Sequence, residues 1–302
     1  MEFKLGVKSD PIEYRYTYDW LFDLMKEQAV EELQLGTFFE LYALDDAYFT
    51  KLRSTAEKRG IRIRSVFTAH RELGGFFTAD PLLEKVARRN YERLIEVAAL
   101  LGSEYVGSNP GAVYRNRMET KASGIDCYLS HMKELMKKAK KLGLRGLTLE
   151  PMSCLGEPPS TPDEIDLMMH SLQGFHARTK DTVNAYLCGD ISHGLADSNK
   201  NILFDNVRLF EHGLKWMSEF HFKNTDAIFG STFGFGKEEL SRGIVDLKRI
   251  LEIVYERIDD WPVATVVGYL EIGGPKLGRD YSDPHLAKQL SESLEYIKGL
   301  MR

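Results

Sequence analysis

Short runs rich in β-branched and aromatic residues alternate with longer amphipathic runs along this chain, and that alternation limits the folds open to it. No Pro-, Gly- or Ser-rich linker interrupts the pattern. Strands that alternate with helices form parallel sheets with right-handed crossovers. Eight strands are predicted, over residues 3–8, 32–37, 61–68, 105–108, 146–150, 184–190, 218–223 and 264–270.

The boundaries of the intervening runs carry helix signals. Thr161-Pro162-Asp163-Glu164 has the composition of a capping box with proline at the first helical position, and Asp80-Pro81 and Asp283-Pro284 repeat the cap-then-proline signal. Glycines at the ends of three predicted helices can adopt the left-handed conformation that ends a helix. These are Gly60, Gly102 and Gly143.

Eight such units favour a closed barrel over an open doubly wound sheet. The open Rossmann alternative would need a Gly-x-Gly-x-x-Gly turn after an early strand, but Ser9-Asp10-Pro11-Ile12 follows the first one. We therefore predict an α/β fold, a single (β/α)8 TIM barrel covering residues 1–302, which suits the length of 302 residues. A glycine-aromatic insertion near residues 226–243 is predicted to be a lid or an interface.

Composition excludes several partners and compartments. The formal net charge of −5 provides no overall basic field for nucleic acid. The N-terminal sequence lacks the pattern of a signal peptide and no apolar stretch is long enough to span a membrane, so a cytoplasmic location is expected. Cys127, Cys154 and Cys188 are expected to be reduced packing residues. The helical histidines are expected at the surface: His131, His170, His176 and His212.

Polar residues accumulate where the predicted strands end, which in a closed barrel is the rim on which catalytic side chains converge. They are His70, Asn109, Glu150, Asp190, His193, His221, Lys223 and Glu271. Taken singly, a rim carboxylate is as often a helix cap or an ion-pair partner, His70 could cap a loop, and Lys223 could pair with Asp226. Such charges on four consecutive strands favour a functional interpretation.

Glu150, Asp190, His221 and Glu271 form a plausible ligand set for a divalent metal. Three carboxylates and one imidazole suit Mn²⁺, with Mg²⁺ or Co²⁺ as alternatives. An ion that polarises two substrate oxygens makes a C–H bond beside a carbonyl acidic enough for a carboxylate to remove the proton. Two carboxylates on opposite sides could then act as base and acid through an enediolate.

At these residues the sequence resembles the xylose-isomerase-like barrel superfamily of sugar isomerases and epimerases. The resemblance covers nearly the whole chain and rests on four segments in order: Leu147-Thr148-Leu149-Glu150-Pro151, Asp190-Ile191-Ser192-His193, His221-Phe222-Lys223-Asn224-Thr225-Asp226 and Tyr269-Leu270-Glu271-Ile272-Gly273-Gly274. It implies metal ligation by Asp190 and His221, substrate contact by His193, and an acid/base pair of Glu150 and Glu271. Glu157 stands roughly where the family has a further substrate-contacting glutamate.

The sequence departs from the ketose 3-epimerases of that superfamily at two points. Pro151-Met152 replaces the Val-Asn that follows the first glutamate, and there is no arginine between His221 and Arg242. The leading hypothesis is therefore a ketose isomerase or epimerase, with a metal-dependent lyase or dehydratase of a keto-sugar as the alternative. An endonuclease IV-like phosphodiesterase is a remote third, because that relative needs many more histidine ligands and a basic surface.

Gly273-Gly274-Pro275-Lys276-Leu277-Gly278-Arg279 follows the last strand, where barrels often bind phosphate. Asp280 and Asp283 would repel a phosphate there, so an unphosphorylated sugar is predicted, with Arg279 as a rim contact. A homo-oligomer is expected by default, since symmetric assemblies are common among enzymes.

Overall fold

In a computed structural model that describes residues 1–13, 15–36, 40–273 and 284–301, parallel strands alternate with helices and close into an eight-stranded barrel. The barrel strands are β1 (Glu2–Lys8), β2 (Glu32–Gly36), β3 (Arg62–Thr68), β4 (Tyr105–Ser108), β5 (Gly146–Leu149), β6 (Asn184–Asp190), β9 (Met217–Phe222) and β10 (Thr265–Leu270). Their order around the barrel is β1-β10-β9-β6-β5-β4-β3-β2. The predicted fold is confirmed, and each strand end described lies within one residue of its predicted position.

The helices occupy the runs predicted between strands, with short additions. The longer ones are α1 (Tyr18–Glu27), α3 (Asp46–Glu57), α5 (Pro81–Leu101), α6 (Lys121–Lys141), α7 (Pro162–Arg178), α8 (Asn206–Gly213), α10 (Leu247–Glu256) and α11 (Leu286–Leu300). Single turns form α2 (Glu40–Ala43), α4 (His70–Leu73) and α9 (Lys237–Leu240), and a hairpin of β7 (Leu195–Ala196) and β8 (Ile202–Phe204) follows β6.

Two compact units share the chain. The terminal unit contains Met1–Leu35, Ser54–Ile63 and Gly189–Arg302, and the central unit contains Gly36–Arg53 and Arg64–Cys188. Within the terminal unit, β10 pairs with β1 on one side and with β9 on the other. The register sets Leu270 opposite both Val7 and Phe222, so the residues that follow these three strands emerge side by side.

Within the central unit, β4 pairs with β3 and β5, and β5 pairs with β6. The register sets Leu149 opposite both Ser108 and Leu187. Asn109 and Glu150, one residue further along β4 and β5, therefore leave neighbouring strands at the same level.

The sequence signals for helix ends act as expected. Thr161 caps α7, because its hydroxyl accepts a hydrogen bond from Glu164 N at 3.3 Å, and Asp80 caps α5 through Leu82 N and Leu83 N. Positive φ angles of 75°, 73° and 84° at Gly60, Gly102 and Gly143 confirm the predicted left-handed ends. Asp283 lies outside the described residues.

The glycine-aromatic insertion is packed against the last helix of the terminal unit. Phe233 bridges to Asn224, and Phe235 is 1% exposed, stacks on Tyr296 and donates its N–H to Ser293 Oγ at 2.9 Å. Phe235 therefore anchors this segment to α11, and its role as lid or interface stays a prediction. Within the described residues, no helix is both long enough and apolar enough to cross a membrane.

Candidate active site

The terminal unit brings five of the predicted site residues together at the carboxyl ends of its strands. Asp190 is the last residue of β6, His221 lies on β9 opposite Tyr269, and Glu271 directly follows β10. The backbone ties these ends to one another, because Ile191 N donates to His221 O at 3.3 Å and Glu271 N donates to Phe222 O at 3.0 Å. Lys223 and His193 complete the group.

Three potential metal-ligand atoms converge there. His221 Nδ1 lies 3.3 Å from Glu271 Oε2 and 3.8 Å from Asp190 Oδ2. The side chains of His221 and Asp190 are fully buried and that of Glu271 is 13% exposed. Oxygen and nitrogen donors at this spacing form a carboxylate and histidine cluster able to hold a divalent ion.

Gln34 on β2 sets the chemical form of the histidine. Its Oε1 lies 2.7 Å from His221 Nε2, and both groups are buried. A carbonyl oxygen only accepts, so in the neutral ring Nε2 carries the proton and the lone pair lies on Nδ1. Nδ1 is the nitrogen that faces Asp190 and Glu271, so the cluster presents its ligating nitrogen toward the carboxylates.

Two lysines balance the buried carboxylates. Lys223 Nζ lies 2.5 Å from Asp190 Oδ2 and 3.1 Å from Glu271 Oε2. Lys8 Nζ donates to Glu271 Oε1 at 2.5 Å and lies 3.1 Å from Asp10. Burial alone would raise the pKa of Glu271, but the charges of Lys223, Lys8 and His221 hold that pKa well below its usual value. Glu271 is therefore a carboxylate at neutral pH.

Asp190 is held in the same charged form by a different set of contacts. Its Oδ1 accepts hydrogen bonds from Ser192 N at 2.8 Å and Ser192 Oγ at 2.7 Å. Its Oδ2 is buried and accepts no hydrogen bond within the described part of the chain, so ion pairs alone balance that oxygen. Burial would raise the pKa of Asp190, but His193 and Lys223 lower it below the usual value.

The donor set fits a divalent cation on these grounds. The buried Oδ2 of Asp190 and the Oε2 of Glu271 lie 2.5 and 3.1 Å from the ammonium of Lys223, and His221 Nδ1 lies within 3.8 Å of both oxygens. A buried charge is costly unless it is paired. The arrangement already stabilises a positive charge at the point where a metal ion would sit.

The central unit gathers a second group of predicted residues. Glu150 directly follows β5, is 5% exposed and donates its N–H to Ser108 O at 3.3 Å. Asn109 Oδ1 accepts from His70 N at 2.5 Å and lies 3.1 Å from His70 Nδ1. Glu157 pairs with Arg115 at 3.1 Å. Burial lowers the pKa of His70, with the charge of Glu157 acting against that shift.

Three residues of the site are not among those predicted from the sequence. Lys8 ends β1 and could have been found by the same strand-end rule that found Glu150, whereas Gln34 and Asp10 gave no comparable signal. Lys223 does not pair with Asp226, whose carboxylate instead accepts from Ile228 N and Gly230 N. Arg279, predicted as a rim contact, lies outside the described residues.

The fold and the cluster define a class: a (β/α)8 barrel with carboxylates and an imidazole grouped at the ends of its strands, the position that active sites occupy in such barrels. The sequence profile of the xylose isomerase-like TIM barrel family matches residues 27–298. The chain therefore belongs to that family. No curated protein matches it in sequence.

Solved structures similar to this chain share its fold at low sequence identity. A putative xylose isomerase from Rhodospirillum rubrum is 18% identical, with a TM-score of 0.78 over 98% of this chain and 99% of that one. D-psicose 3-epimerase from Clostridium cellulolyticum is 16% identical, with a TM-score of 0.70 over the full length of both. The IolI protein, solved with a zinc atom, is 16% identical, with a TM-score of 0.68 over 98% and 96%.

Proposed function

We propose that this chain is a metal-dependent isomerase or epimerase that moves a proton next to the carbonyl of an unphosphorylated ketose or related sugar. The observation that supports this most strongly is the cluster of Asp190, His221 and Glu271, whose carboxylate ligand atoms lie within 3.8 Å of His221 Nδ1, in a xylose isomerase-like barrel. A psicose epimerase and the zinc-containing IolI protein share the fold, so the fold is compatible with both sugar chemistry and metal binding.

Glu150 is proposed as the fourth ligand. It follows β5, and the register of Leu149 against Leu187 puts it on the strand next to the one that ends at Asp190. The family resemblance of the segment Leu147-Thr148-Leu149-Glu150-Pro151 supports this assignment. Three carboxylates and an imidazole favour Mn²⁺, with Mg²⁺ or Co²⁺ as alternatives.

When bound, the ion would polarise the substrate carbonyl and hydroxyl oxygens and so acidify the neighbouring C–H bond. Glu271 accepts or returns the proton on one side, since Lys223 and Lys8 keep it ionised. Glu150 acts on the other side, and the two together would interconvert ketose and product through an enediolate.

The remaining polar groups are proposed to contact the sugar. His193 and Lys223, whose Nε2 and Nζ atoms lie 3.2 Å apart, are placed to donate to hydroxyl oxygens. We propose that His70, Asn109 and Glu157 of the central unit also contact the sugar. Arg279 is proposed as a contact at the rim. Several hydrogen-bonding groups in one place suit a polyhydroxy substrate.

A substrate screen tests the proposal. The metal-free protein, reloaded with Mn²⁺, is incubated with free ketoses and their phosphate esters, and products are separated by chromatography. We expect the protein to convert a free ketose. This activity should be lost when a metal chelator is added and in the Asp190→Ala variant. A conjugated enone absorbing in the ultraviolet would show elimination instead, and a strong preference for a phosphate ester, abolished in Arg279→Ala, would contradict the free-sugar assignment.

The wider assignments follow from the same reasoning. We propose a single barrel domain over residues 1–302, a cytoplasmic homo-oligomer, and a small-molecule sugar as partner rather than nucleic acid or membrane. The net charge of −5 supports the exclusion of nucleic acid.

A further inference from the structure

A second group of metal-ligand side chains lies on two helices of the central unit. Glu84 is in the first turn of α5, and Cys127 and His131 are four residues apart on α6, so both face the same side of that helix. One ligand atom from each of the three lies within 4.8 Å of the others. From the sequence, Cys127 is expected to be a packing residue and His131 a surface residue.

His131 is held in place rather than free on the surface. Its ring stacks on Phe76 with centroids 4.6 Å apart and an interplanar angle of 28°, and Phe76 is 3% exposed. His131 Nε2 lies 2.7 Å from Glu84 Oε1. The imidazole is 20% exposed and the Glu84 carboxylate 40% exposed, so water and ions can reach them.

The thiol of Cys127 lies beside this pair and donates a hydrogen bond to the Glu84 carboxylate. Metal binding would deprotonate the thiol, so Zn²⁺ would take the place of the proton that the thiol shares with Glu84.

We propose that Glu84, Cys127 and His131 form a second metal site, which takes Zn²⁺ and links α5 to α6. A thiolate, an imidazole and a carboxylate are all zinc ligands, and the sulfur separates this site chemically from the thiolate-free cluster of Asp190, His221 and Glu271. Water completes the coordination at the exposed side.

The site does not depend on the proposed sugar chemistry. Without an ion, the same residues would only form hydrogen bonds, from the imidazole of His131 and from the thiol of Cys127 to the Glu84 carboxylate. The two descriptions differ in whether the sulfur binds metal.

Cobalt titration separates them, because a cobalt–thiolate bond produces an intense near-ultraviolet charge-transfer band and nitrogen and oxygen ligands do not. The full-length protein, stripped of metal, is titrated with Co²⁺. We expect a band that saturates at about one ion per chain and is bleached by Zn²⁺. The band should be lost in Cys127→Ala and His131→Ala and retained in Cys154→Ala, a matched change at another partly exposed cysteine.

Absence of the band from the wild type, or its survival in Cys127→Ala, would overturn the proposal. A second measurement needs no variant: crystals of the wild type grown with Zn²⁺ should show an anomalous zinc peak bounded by Cys127 Sγ, the imidazole of His131 and the carboxylate of Glu84. A map without that peak would also overturn it.

Discussion

Among the individual residues of the site, Gln34 has a role that follows from one hydrogen bond. Its Oε1 fixes the proton on His221 Nε2, which leaves the lone pair of Nδ1 toward Asp190 and Glu271. Partners of this kind orient a metal-bound imidazole and raise its basicity. The amide would therefore act on the proposed metal ion through the histidine, as a positioning residue.

Replacing Gln34 by leucine tests this role. Gln34→Leu should weaken Mn²⁺ binding by about 10- to 100-fold, the usual cost of losing such a partner, while the chain stays folded. Calorimetric titration of the metal-free protein measures it. Gln173→Leu is the control, because the side-chain amide of Gln173 donates to the backbone carbonyl of Ala185 in the central unit. Equal affinities in both variants would contradict the assignment.

Lys223 would lower the affinity for a metal ion, whereas Gln34 would raise it. Its ammonium lies between the two carboxylates that would bind the ion, so it stabilises the metal-free state and opposes a second positive charge. Removing one partner of a buried ion pair costs about 3 kcal/mol or more, because it leaves the other charge unpaired.

Lys223→Met should therefore lower the unfolding free energy of the metal-free protein by about 3 kcal/mol and increase the stabilisation gained from Mn²⁺. Urea denaturation with chelator and with saturating Mn²⁺ gives both quantities. Lys237→Met, at an exposed position on α9, controls for loss of a lysine elsewhere in the terminal unit. If the metal-free stability of Lys223→Met matched that of the control, the charge balance described for the cluster would be wrong.

At the scale of elements, helix α7 shows how local signals position a segment. Thr161 Oγ1 accepts from Glu164 N, and the Glu164 carboxylate accepts from Ser160 N and Ser160 Oγ at 2.8 and 3.0 Å. In the predicted capping box, Glu164 would accept its hydrogen bond from the N–H of Thr161. It instead accepts from Ser160, one residue earlier in the chain, and also pairs with Lys121.

Thr161→Ala should destabilise the protein by about 1 kcal/mol, the typical value for an N-cap, without changing the affinity for Mn²⁺. Urea denaturation monitored by circular dichroism checks the stability. Thr179→Ala is the control. Thr179 lies at the C-terminal end of α7, where its side chain caps no first-turn N–H, so this change should lower the unfolding free energy by less. An unfolding free energy equal to that of the wild type would show that the cap contributes nothing.

Elements with a clear period were predictable and short ones were not. The eight barrel strands were recognisable because each is an apolar run bounded by helix signals. The hairpin of β7 and β8 has strands of two and three residues, and α2, α4 and α9 have four each, too few to show a period. Tertiary contacts decide such segments.

The same distinction applies to the site. Glu150, Asp190 and Glu271 were found because a carboxylate after an apolar run stands out. Gln34 lies within a fully buried strand, and its partner His221 is 187 residues away in sequence, so the pair is created by barrel closure. The relation between Glu84, Cys127 and His131 likewise depends on how α5 meets α6.

At the scale of the whole molecule, the barrel fixes where functional groups lie. Its parallel strands bring their carboxyl ends to one rim, and the polar residues that emerge there decide the chemistry. Family membership therefore supports a class of reaction, and the substrate must be found by measurement.

Proton exchange with solvent tests the central claim most directly. A ketose that the protein converts is incubated with Mn²⁺-loaded protein in heavy water, and nuclear magnetic resonance locates deuterium in the product. We expect deuterium on a carbon next to the carbonyl, with the rate reduced by about 10²-fold or more in Glu150→Gln and in Glu271→Gln. Product that forms without solvent deuterium would point to hydride transfer and contradict the account.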